Sequence, residues 1–367
     1  MTLGGWVLEP GGPCLVVAEA GSAHGGDPAR GLELIEAAVE AGARAVKFQI
    51  IFADEIVHPL TGMIRLPGGE TPIYERFRAL ERGEDFYARL KERTEKRGAL
   101  FLASVFGPRS LELLRRLGAQ AVKIASPELN HLPLLDLVAS SGLPAILSTG
   151  VSTLADIERA LAHCPHSALL HCVTAYPAPE GEYNLRLVPN LRAVFGVPVG
   201  VSDHSLDPLL VPGAAAALGA CLVEKHLTLE RAGGELDDPI ALEPGAFAAM
   251  VRGLRELEAL GGEAALACLA ERFGRERVAG VLGDGVKRLA AAEAGFYATT
   301  RRSLHALRDI DAGARIQPAD MCIVRSERNL RPGLEPEHFA AVAGCLVRRR
   351  IPAGEGILWE DLLSRER

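Results

Sequence analysis

The chain has 367 residues, of which 48% are hydrophobic and 24% charged, and its formal net charge is −7. These values are typical of a soluble globular protein with one large domain and a small one, and the negative charge disfavours nucleic acid or an anionic membrane as a partner. Its seven cysteines form no CxxC pair, and the sequence shows neither a membrane-spanning apolar run nor a signal-peptide pattern, so we expect a cytoplasmic protein.

Eight short apolar runs in the first two thirds of the chain predict β-strands. Each run is rich in Val, Ile, Leu or Ala, as expected for strands that are buried on both faces. In chain order they are residues 14–20, 45–48, 99–104, 121–124, 145–148, 168–172, 198–202 and 221–226.

Amphipathic segments between these runs predict helices, among them residues 28–41, 84–97, 108–117, 132–141, 153–162 and 209–218. Several end at a glycine that follows the last periodic residue, a common helix stop: Gly42, Gly98, Gly118, Gly142 and Gly219. Eight alternating strand–helix units within residues 1–261 predict a (β/α)₈ TIM barrel. A doubly wound open sheet is the alternative, but no GxGxxG motif follows the first strand.

The C-terminal part of the chain contains an internal repeat. Residues 309–321 recur as residues 350–362, and aligning Gly313 with Gly354 brings Ile, Ala, Gly, Ile and Asp into register. The repeat predicts two similar β-turn units inside one small β-rich domain over residues 299–367. Residues 262–298 are rich in Ala, Glu and Arg and predict a helical linker.

Two lysines lie at predicted strand ends, where a barrel carries its active site. Lys47 ends the second strand and Lys123 the fourth; a buried lysine is rare and usually paired, so both indicate a functional role. Together with four strand-end serines they predict a phosphate cradle of charges and hydroxyl donors, although any one serine can equally satisfy strand-end backbone groups. The serines are Ser104, Ser126, Ser148 and Ser202.

Two histidines follow or end neighbouring strands. His204 follows the seventh strand and His226 ends the eighth; neutral imidazoles with open positions for water and substrate suit a divalent cation that acts as a Lewis acid. A lone histidine is more often a hydrogen-bonded structural residue, and we favour that reading for His171 on the sixth strand.

Three carboxylates complete the predicted site. Glu19 in the first strand and Glu128 after the fourth are candidates for acid–base chemistry or for binding sugar hydroxyls. Asp237 lies in a loop after the eighth strand, where it binds a hydroxyl or serves in ordinary turn chemistry.

In this order, the motifs resemble the N-acetylneuraminate (sialic acid) synthase family, which includes legionaminic and pseudaminic acid synthases and spore-coat polysaccharide enzymes. The tail resembles that family's antifreeze-like (SAF) domain, through Arg301-Arg302-Ser303-Leu304 and Arg331-Pro332-Gly333. The barrel markers are Ala18-Glu19-Ala20-Gly21, Ala45-Val46-Lys47-Phe48-Gln49, Lys123-Ile124-Ala125-Ser126, Leu147-Ser148-Thr149-Gly150, His171-Cys172, Tyr176-Pro177, Ser202-Asp203-His204 and Glu224-Lys225-His226.

The resemblance implies a metal-dependent synthase. In such an enzyme, phosphoenolpyruvate attacks the aldehyde of an open-chain N-acylated hexosamine such as N-acetylmannosamine, and phosphate leaves by C–O cleavage to give a nonulosonic acid. By position, it implies that the two lysines and four serines hold phosphoenolpyruvate, that His204 and His226 hold Mn²⁺ or Mg²⁺, and that Glu19 takes part in the proton and water steps. The implied sugar contacts are Gln49, Glu128, Tyr176 and Asp237.

The sequence departs from the family pattern by an insertion around residues 263–280 and on the sugar side. Ala23-His24-Gly25-Gly26 stands where the family has Asn-His-Asn-Gly, and Pro127 replaces a glycine. The acceptor sugar is therefore left open. Two alternative functions are a metal-dependent pyruvate aldolase or lyase, which needs no phosphate cradle, and a catalytically silent sugar-binding protein.

The arginines of the tail bear on assembly. We interpret Arg325 and Arg328 as solvated surface residues, whereas the resemblance implies that Arg331 reaches the sugar in the barrel of a partner subunit. A guanidinium can bind an N-acyl oxygen or hydroxyls whatever the pH. The sequence therefore predicts a domain-swapped C₂ homodimer with active sites completed in trans.

Overall fold

A computed structural model describes residues 1–66, 69–327 and 329–363. Eight parallel strands close into a barrel in sequence order, so the predicted TIM barrel is confirmed. The strands are β1 Leu15–Gly21, β2 Ala45–Gln49, β3 Leu100–Ser104, β4 Val122–Ile124, β5 Ala145–Ser148, β6 Ser167–Cys172, β7 Val199–Asp203 and β8 Leu222–His226. Every predicted strand boundary lies within one residue of the observed one.

Helices surround the barrel: α1 Pro28–Glu40, α2 Glu84–Lys96, α3 Pro108–Arg116, α4 Leu132–Ser141, α5 Leu154–His163, α6 Leu187–Phe195, α7 Leu210–Ala217 and α8 Pro244–Leu260. The six that the sequence predicted are found within one residue, and their five terminal glycines have φ between 66° and 97°. The longer β2–β3 connection adds a hairpin, Met63–Leu66 with Gly69–Pro72, and the helix Ile73–Ala79. Over the described ranges, no helix is both long and apolar enough to cross a bilayer.

The alternation of side chains along the strands separates the barrel interior into an apolar end and a polar end. Residues such as Val17, Leu102 and Leu170 point inward and form one cluster at the N-terminal end. Leu3 and Leu8 join this cluster. They belong to the N-terminal segment, in which Thr2–Leu3 and Trp6–Val7 form a hairpin. Because this end is filled with apolar side chains, the opposite end is left for chemistry.

Two helices follow the barrel, α9 Gly262–Phe273 and α10 Arg275–Leu282. They contain the predicted insertion, and Ala265 and Leu269 join the hydrophobic core that the barrel wall shares with α7. The short helices Ala291–Ala294 and Tyr297–Thr300 complete the linker. Residues 283–290 are not helical, contrary to prediction. Gly283 and Gly285 take positive φ values of 61° and 78°, which end the helical path.

The small domain has the predicted repeat. Strand β9 Arg302–Ala306 pairs antiparallel with β10 Met321–Arg325, and β11 Leu346–Val347 pairs with β12 Leu362–Leu363. Each repeat ends in a 3-10 turn, Pro318–Asp320 or Trp359–Asp361, whose aspartate accepts the backbone N–H of the residue three positions earlier. Ile310 and Ile351 bridge the two units across their core, and the helix Phe339–Val342 lies between them in sequence.

Candidate active site

The same alternation that fills the barrel places polar side chains at its mouth. Lys47 on β2 lies two residues after the inward-facing Ala45, and Lys123 on β4 lies two residues after the inward-facing Ala121. Both ammonium groups are buried, at 3% and 2% exposure. Lys47 Nζ donates to Ser104 Oγ at 3.3 Å, and Lys123 Nζ donates to Ser148 Oγ at 2.7 Å. The structure therefore brings the predicted lysine–serine cradle together.

Glu224 on β8 lies between the two lysines, and sequence reasoning assigned it no role. Its Oε1 is 3.7 Å from Lys47 Nζ and 4.0 Å from Lys123 Nζ, and it accepts a hydrogen bond from Ser202 Oγ at 3.0 Å. Burial opposes its ionisation, but the two ammonium charges outweigh burial and lower the pKa of Glu224. The available signal was its position two residues before His226, which places both on the inward face.

The pKa values of Lys47 and Lys123 shift in opposite directions, although both side chains are buried. Burial favours the neutral amine of Lys47, but the Glu19 and Glu224 carboxylates outweigh burial and raise its pKa. The same carboxylates stabilise the ammonium group of Lys123 less, so burial prevails and lowers the pKa of Lys123. Lys47 is thus the more firmly charged of the two.

Glu19 lies near the C-terminal end of β1, at the mouth of the barrel. Its Oε2 is 2.5 Å from Lys47 Nζ, and its Oε1 accepts from Gln49 Nε2 at 3.0 Å. Burial raises the pKa of Glu19 to about 7, even though Lys47 opposes this shift. A carboxyl group with this pKa can give and take a proton near neutral pH, as the predicted proton role requires.

His204 and His226 face each other at the mouth, with ring centroids 5.5 Å apart. The Nδ1 of His204 lies 2.9 Å from the carbonyl of Val173, which leaves Nε2 on the side of Ser202. Tyr176 stacks on the His204 ring at 4.4 Å. Burial lowers the pKa of both histidines, and for His226 the neighbouring His204 lowers it further.

These features fit a divalent cation with two protein ligands. Both imidazoles are neutral near pH 7, as metal ligation requires, and the bond between His204 and a backbone carbonyl fixes its ring orientation. Asp237 Oδ2 lies 3.8 Å from His226 Nδ1. No group of three or more potential ligands occurs in the described part of the chain, so water and substrate would supply the remaining ligands.

Residues at the same strand ends that face outward have structural roles. His171 Nε2 contacts the Tyr183 carbonyl between the barrel and the segment before α6, in agreement with the structural reading. Lys225 and Asp203, both fully buried, form an ion pair at 2.5 Å. Their neighbours His226 and Ser202 point inward, because successive residues of a strand alternate.

Ser126 and Glu128 lie in one 3-10 turn with Pro127 between them. Proline suits the start of such a turn because its φ is already fixed near the required value. Ser126 Oγ accepts the Gly150 N–H at 3.0 Å, which ties the turn to the loop after β5. The replacement of glycine by Pro127 therefore leaves the serine next to the cradle.

The small domain packs on the mouth of its own barrel through Glu128. Arg302 Nη2 and Arg325 Nη2 reach Glu128 Oε1 at 2.8 and 2.6 Å. Arg325 is only 13% exposed, so its interpretation as a solvated residue was wrong. The parallel bridge between Val57 and Arg325 places this strand against the β2–β3 connection, and that contact desolvates the guanidinium.

Arg331 lies elsewhere in the small domain. Its Nη2 donates to Asp361 Oδ2 and to the Gly356 carbonyl, both at 2.7 Å. Among the described residues of the single chain, Arg331 forms no hydrogen bond or ion pair with a barrel residue, so its action on a partner barrel stays a prediction. Arg328 lies outside the described residues.

The altered loop after β1 carries His24. The His24 Nδ1 accepts the Gly26 N–H at 2.8 Å, and its ring lies 4.9 Å from that of Phe86. Arg82 Nε donates to the Gly26 carbonyl, and a Cβ at position 26 would clash with this guanidinium at 1.6 Å. The positive φ of Gly26, 83°, together with this contact disfavours a side chain at position 26.

Two family models match the chain: the NeuB family over residues 34–265 and the SAF domain over residues 301–363. The N,N'-diacetyllegionaminic acid synthase of Legionella pneumophila is 32% identical over 362 residues, which cover 95% of this chain and 94% of the relative. The spore coat polysaccharide biosynthesis protein SpsE of Bacillus subtilis is 33% identical over 362 residues, covering 96% and 95%.

Solved structures agree with these matches. The crystal structure of B. subtilis SpsE superposes with a TM-score of 0.83 at 31% identity and covers 100% of this chain and 99% of that one. The N-acetylneuraminic acid synthetase of Leptospira borgpetersenii, solved with citrate, gives a TM-score of 0.62 at 31% identity and covers 80% and 94%.

Proposed function

The chain belongs to the NeuB family and carries a SAF domain after its barrel, and from this premise we propose that it condenses phosphoenolpyruvate with the aldehyde of an N-acylated hexosamine. The products are a nonulosonic acid and phosphate. Relatives named as legionaminic and pseudaminic acid synthases support this class of reaction. The observation that carries it is the buried pair Lys47 and Lys123 with hydroxyl groups beside each ammonium.

The proposed reaction balances as follows. The methylene carbon of phosphoenolpyruvate forms a bond to the aldehyde carbon, and the aldehyde oxygen takes up a proton. Water adds to the former enol carbon, losing a proton, and the bond between this carbon and the phosphate oxygen breaks. Phosphate leaves with the bridging oxygen and takes up the proton that the new hydroxyl group loses, and the carbon becomes the keto group of the product.

The cradle is suited to the phosphate and carboxylate of phosphoenolpyruvate. Lys47 and Lys123 supply charge, and Ser104, Ser148 and Ser202 supply hydroxyl donors at the same depth. Charge-assisted hydrogen bonds from such groups are stronger than neutral ones. The Glu224 carboxylate lies between the two ammonium groups and offsets their mutual repulsion, so that both can lie near one bound anion.

Around the acceptor, Glu19 is the proposed proton carrier because its pKa is raised to about 7. Gln49, Asp237 and Tyr176 line the side of the mouth where the sugar would bind. Glu128 keeps one oxygen, Oε2, without a hydrogen-bond partner among the described residues, and a sugar hydroxyl could donate to it. A divalent cation on His204 and His226, when bound, would polarise the aldehyde.

A phosphate-release assay tests this function. The protein is incubated with phosphoenolpyruvate, Mn²⁺ and a panel of N-acyl hexosamines, and free phosphate is measured. We expect release only with an acceptor present, and phosphoenolpyruvate labelled with ¹⁸O at the bridging position should yield labelled phosphate. Activity on pyruvate without phosphate release would instead favour an aldolase or lyase. Sugar binding without turnover would indicate a silent binding protein.

We also propose a homodimer whose small domains exchange between barrels. In the single chain, Arg302 and Arg325 dock the small domain on its own barrel, and the same contacts would form between subunits if the linker crossed to a partner. Arg325 is the tail arginine that contacts Glu128, whereas Arg331 is the candidate that the sequence predicts.

Complementation distinguishes the two arrangements. Arg325→Ala chains, and separately Arg331→Ala chains, are mixed with Lys123→Ala chains under conditions of subunit exchange. With exchanged domains, activity should return to about a quarter of wild type, because half of random dimers are mixed and half of their sites are intact. Lys47→Ala mixed with Lys123→Ala is the control and should stay inactive. If mixed dimers form and neither arginine variant recovers activity, the small domain serves its own barrel.

A further inference from the structure

The linker between the two domains touches the phosphate end of the barrel mouth through one buried carboxylate. Glu293 is 1% exposed, and its Oε1 accepts the backbone N–H groups of Val151 at 2.8 Å and of Thr174 at 2.6 Å. Its Oε2 accepts the Ala290 N–H at 3.3 Å within the linker. The carboxylate thus joins the linker to the loops that follow β5 and β6.

The loop after β5 adjoins two predicted phosphate-binding residues, Ser148 at the end of β5 and Ser126 in the turn after β4. Val151 is the third residue after Ser148, and its φ of 43° is in the left-handed region, which a β-branched side chain disfavours. The hydrogen bond to Glu293 holds Val151 in this conformation. The intervening Gly150 donates its N–H to Ser126, so the position of that serine depends on the same loop.

The space around Gly150 shows how closely the three loops meet. A Cβ at this position would lie 2.1 Å from Thr174 Oγ1 and 2.9 Å from both Glu293 Oε1 and Ser126 Oγ. A small shift of one loop therefore moves the others. The loops after β4, β5 and β6 form one packed unit, and the Glu293 carboxylate enters it from outside the barrel.

Polar contacts, rather than apolar packing, hold the linker here. We define the strap as residues 283–294; a cavity of about 300 Å³, lined by His171, Lys287 and Glu293 among others, separates part of it from the barrel wall. Across this gap Lys287 Nζ donates to the Thr149 carbonyl at 3.0 Å. The strap therefore grips the loop after β5 at two points, Lys287 and Glu293.

We propose that Glu293 is a positioning residue that presets the phosphate subsite by holding the loops of Ser126 and Ser148. This role rests on the proposed function, because it assigns Glu293 to the phosphate of phosphoenolpyruvate and not to the acceptor sugar. Glu293 touches neither substrate. It acts by keeping Val151 in its strained conformation before the substrate arrives, so that binding does not have to order the loop.

The kinetic test replaces Glu293 by Ala and by Gln. For Glu293→Ala we expect the KM for phosphoenolpyruvate to rise by about tenfold to a hundredfold, the usual effect of misplacing binding groups. The KM for the sugar and the kcat at saturating phosphoenolpyruvate should change by less than about threefold. Glu293→Gln keeps an acceptor oxygen for Val151 and Thr174 and should give an intermediate KM.

Glu182→Ala is the matched control. Glu182, farther along the connection between β6 and α6, also accepts a backbone N–H of the strap, from Ala292 at 2.9 Å, but this bond involves neither Val151 nor Thr174. Its replacement loosens the strap without freeing Val151, so the KM for phosphoenolpyruvate should stay near wild type. Equal increases for Glu182→Ala and Glu293→Ala, or equal increases in both substrates' KM values, would overturn the positioning role.

Hydrogen exchange of the substrate-free protein separates this inference from the proposed function. Amides of residues 149–151 and 173–175 should exchange at least about tenfold faster in Glu293→Ala than in Glu182→Ala, with Glu293→Gln between the two. Unchanged exchange in both Glu293 variants would refute the positioning role. If the wild-type protein releases no phosphate with any acceptor while exchange changes as expected, the function fails but the loop restraint by Glu293 stands.

Discussion

Lys123→Ala is expected to raise the KM for phosphoenolpyruvate by roughly one to two orders of magnitude, since a charge-assisted contact to phosphate contributes about 1.5–3 kcal/mol. The KM for the sugar should change much less, because Lys123 contacts Ser148 and Glu224 at the phosphate end of the mouth. Steady-state phosphate release with each substrate varied in turn measures both constants. Lys96→Ala, a change to a lysine that is 64% exposed, is the control and should change neither.

Lys47→Ala should weaken phosphoenolpyruvate binding similarly but also lower thermal stability. Lys47 is the cation nearest to both Glu19 and Glu224, and its removal leaves two buried carboxyl groups without their main countercharge. For Lys123, burial outweighs the stabilising charges and lowers its pKa, so its replacement by Ala should destabilise the protein less. Thermal melts of the two variants measure the difference. Unchanged KM values in both variants would mean that the phosphate binds elsewhere.

His204→Ala and His226→Ala are each expected to weaken Mn²⁺ binding by more than about a hundredfold, because one imidazole of a two-histidine site cannot hold the ion alone. Turnover should fall with binding, and EDTA should abolish the activity of the wild-type enzyme. Titration calorimetry with Mn²⁺ on EDTA-treated protein gives the affinity independently of activity.

The exposed His166 provides the control for the metal site. His166→Ala should bind Mn²⁺ as wild type does. His171→Ala should lower stability, because His171 contacts the Tyr183 carbonyl on the outer face of the barrel, but should leave the affinity for Mn²⁺ within about threefold. Full turnover of either His204→Ala or His226→Ala in EDTA would contradict the metal assignment.

The amino-acid sequence by itself determined the barrel and most of its mouth. Strand alternation is a local property, so the period-two pattern that fills the barrel with Val17 and Leu102 also predicts that Glu19 and Ser104 point inward. Helix ends were readable for the same reason, because the terminal glycines act within a single turn. The repeat of the small domain was likewise visible because its two turns use the same residues.

The tertiary structure decided which of these residues act on one another. Glu224 lies between lysines that are 101 and 177 residues away in the chain, and Glu128 is held by Arg302 and Arg325, 174 and 197 residues away. Such contacts depend on barrel closure and domain docking, which no local pattern encodes. For the same reason Arg325 was misread as a surface residue: it ends an apolar run and polar residues follow it in the sequence, and only the docked barrel buries it.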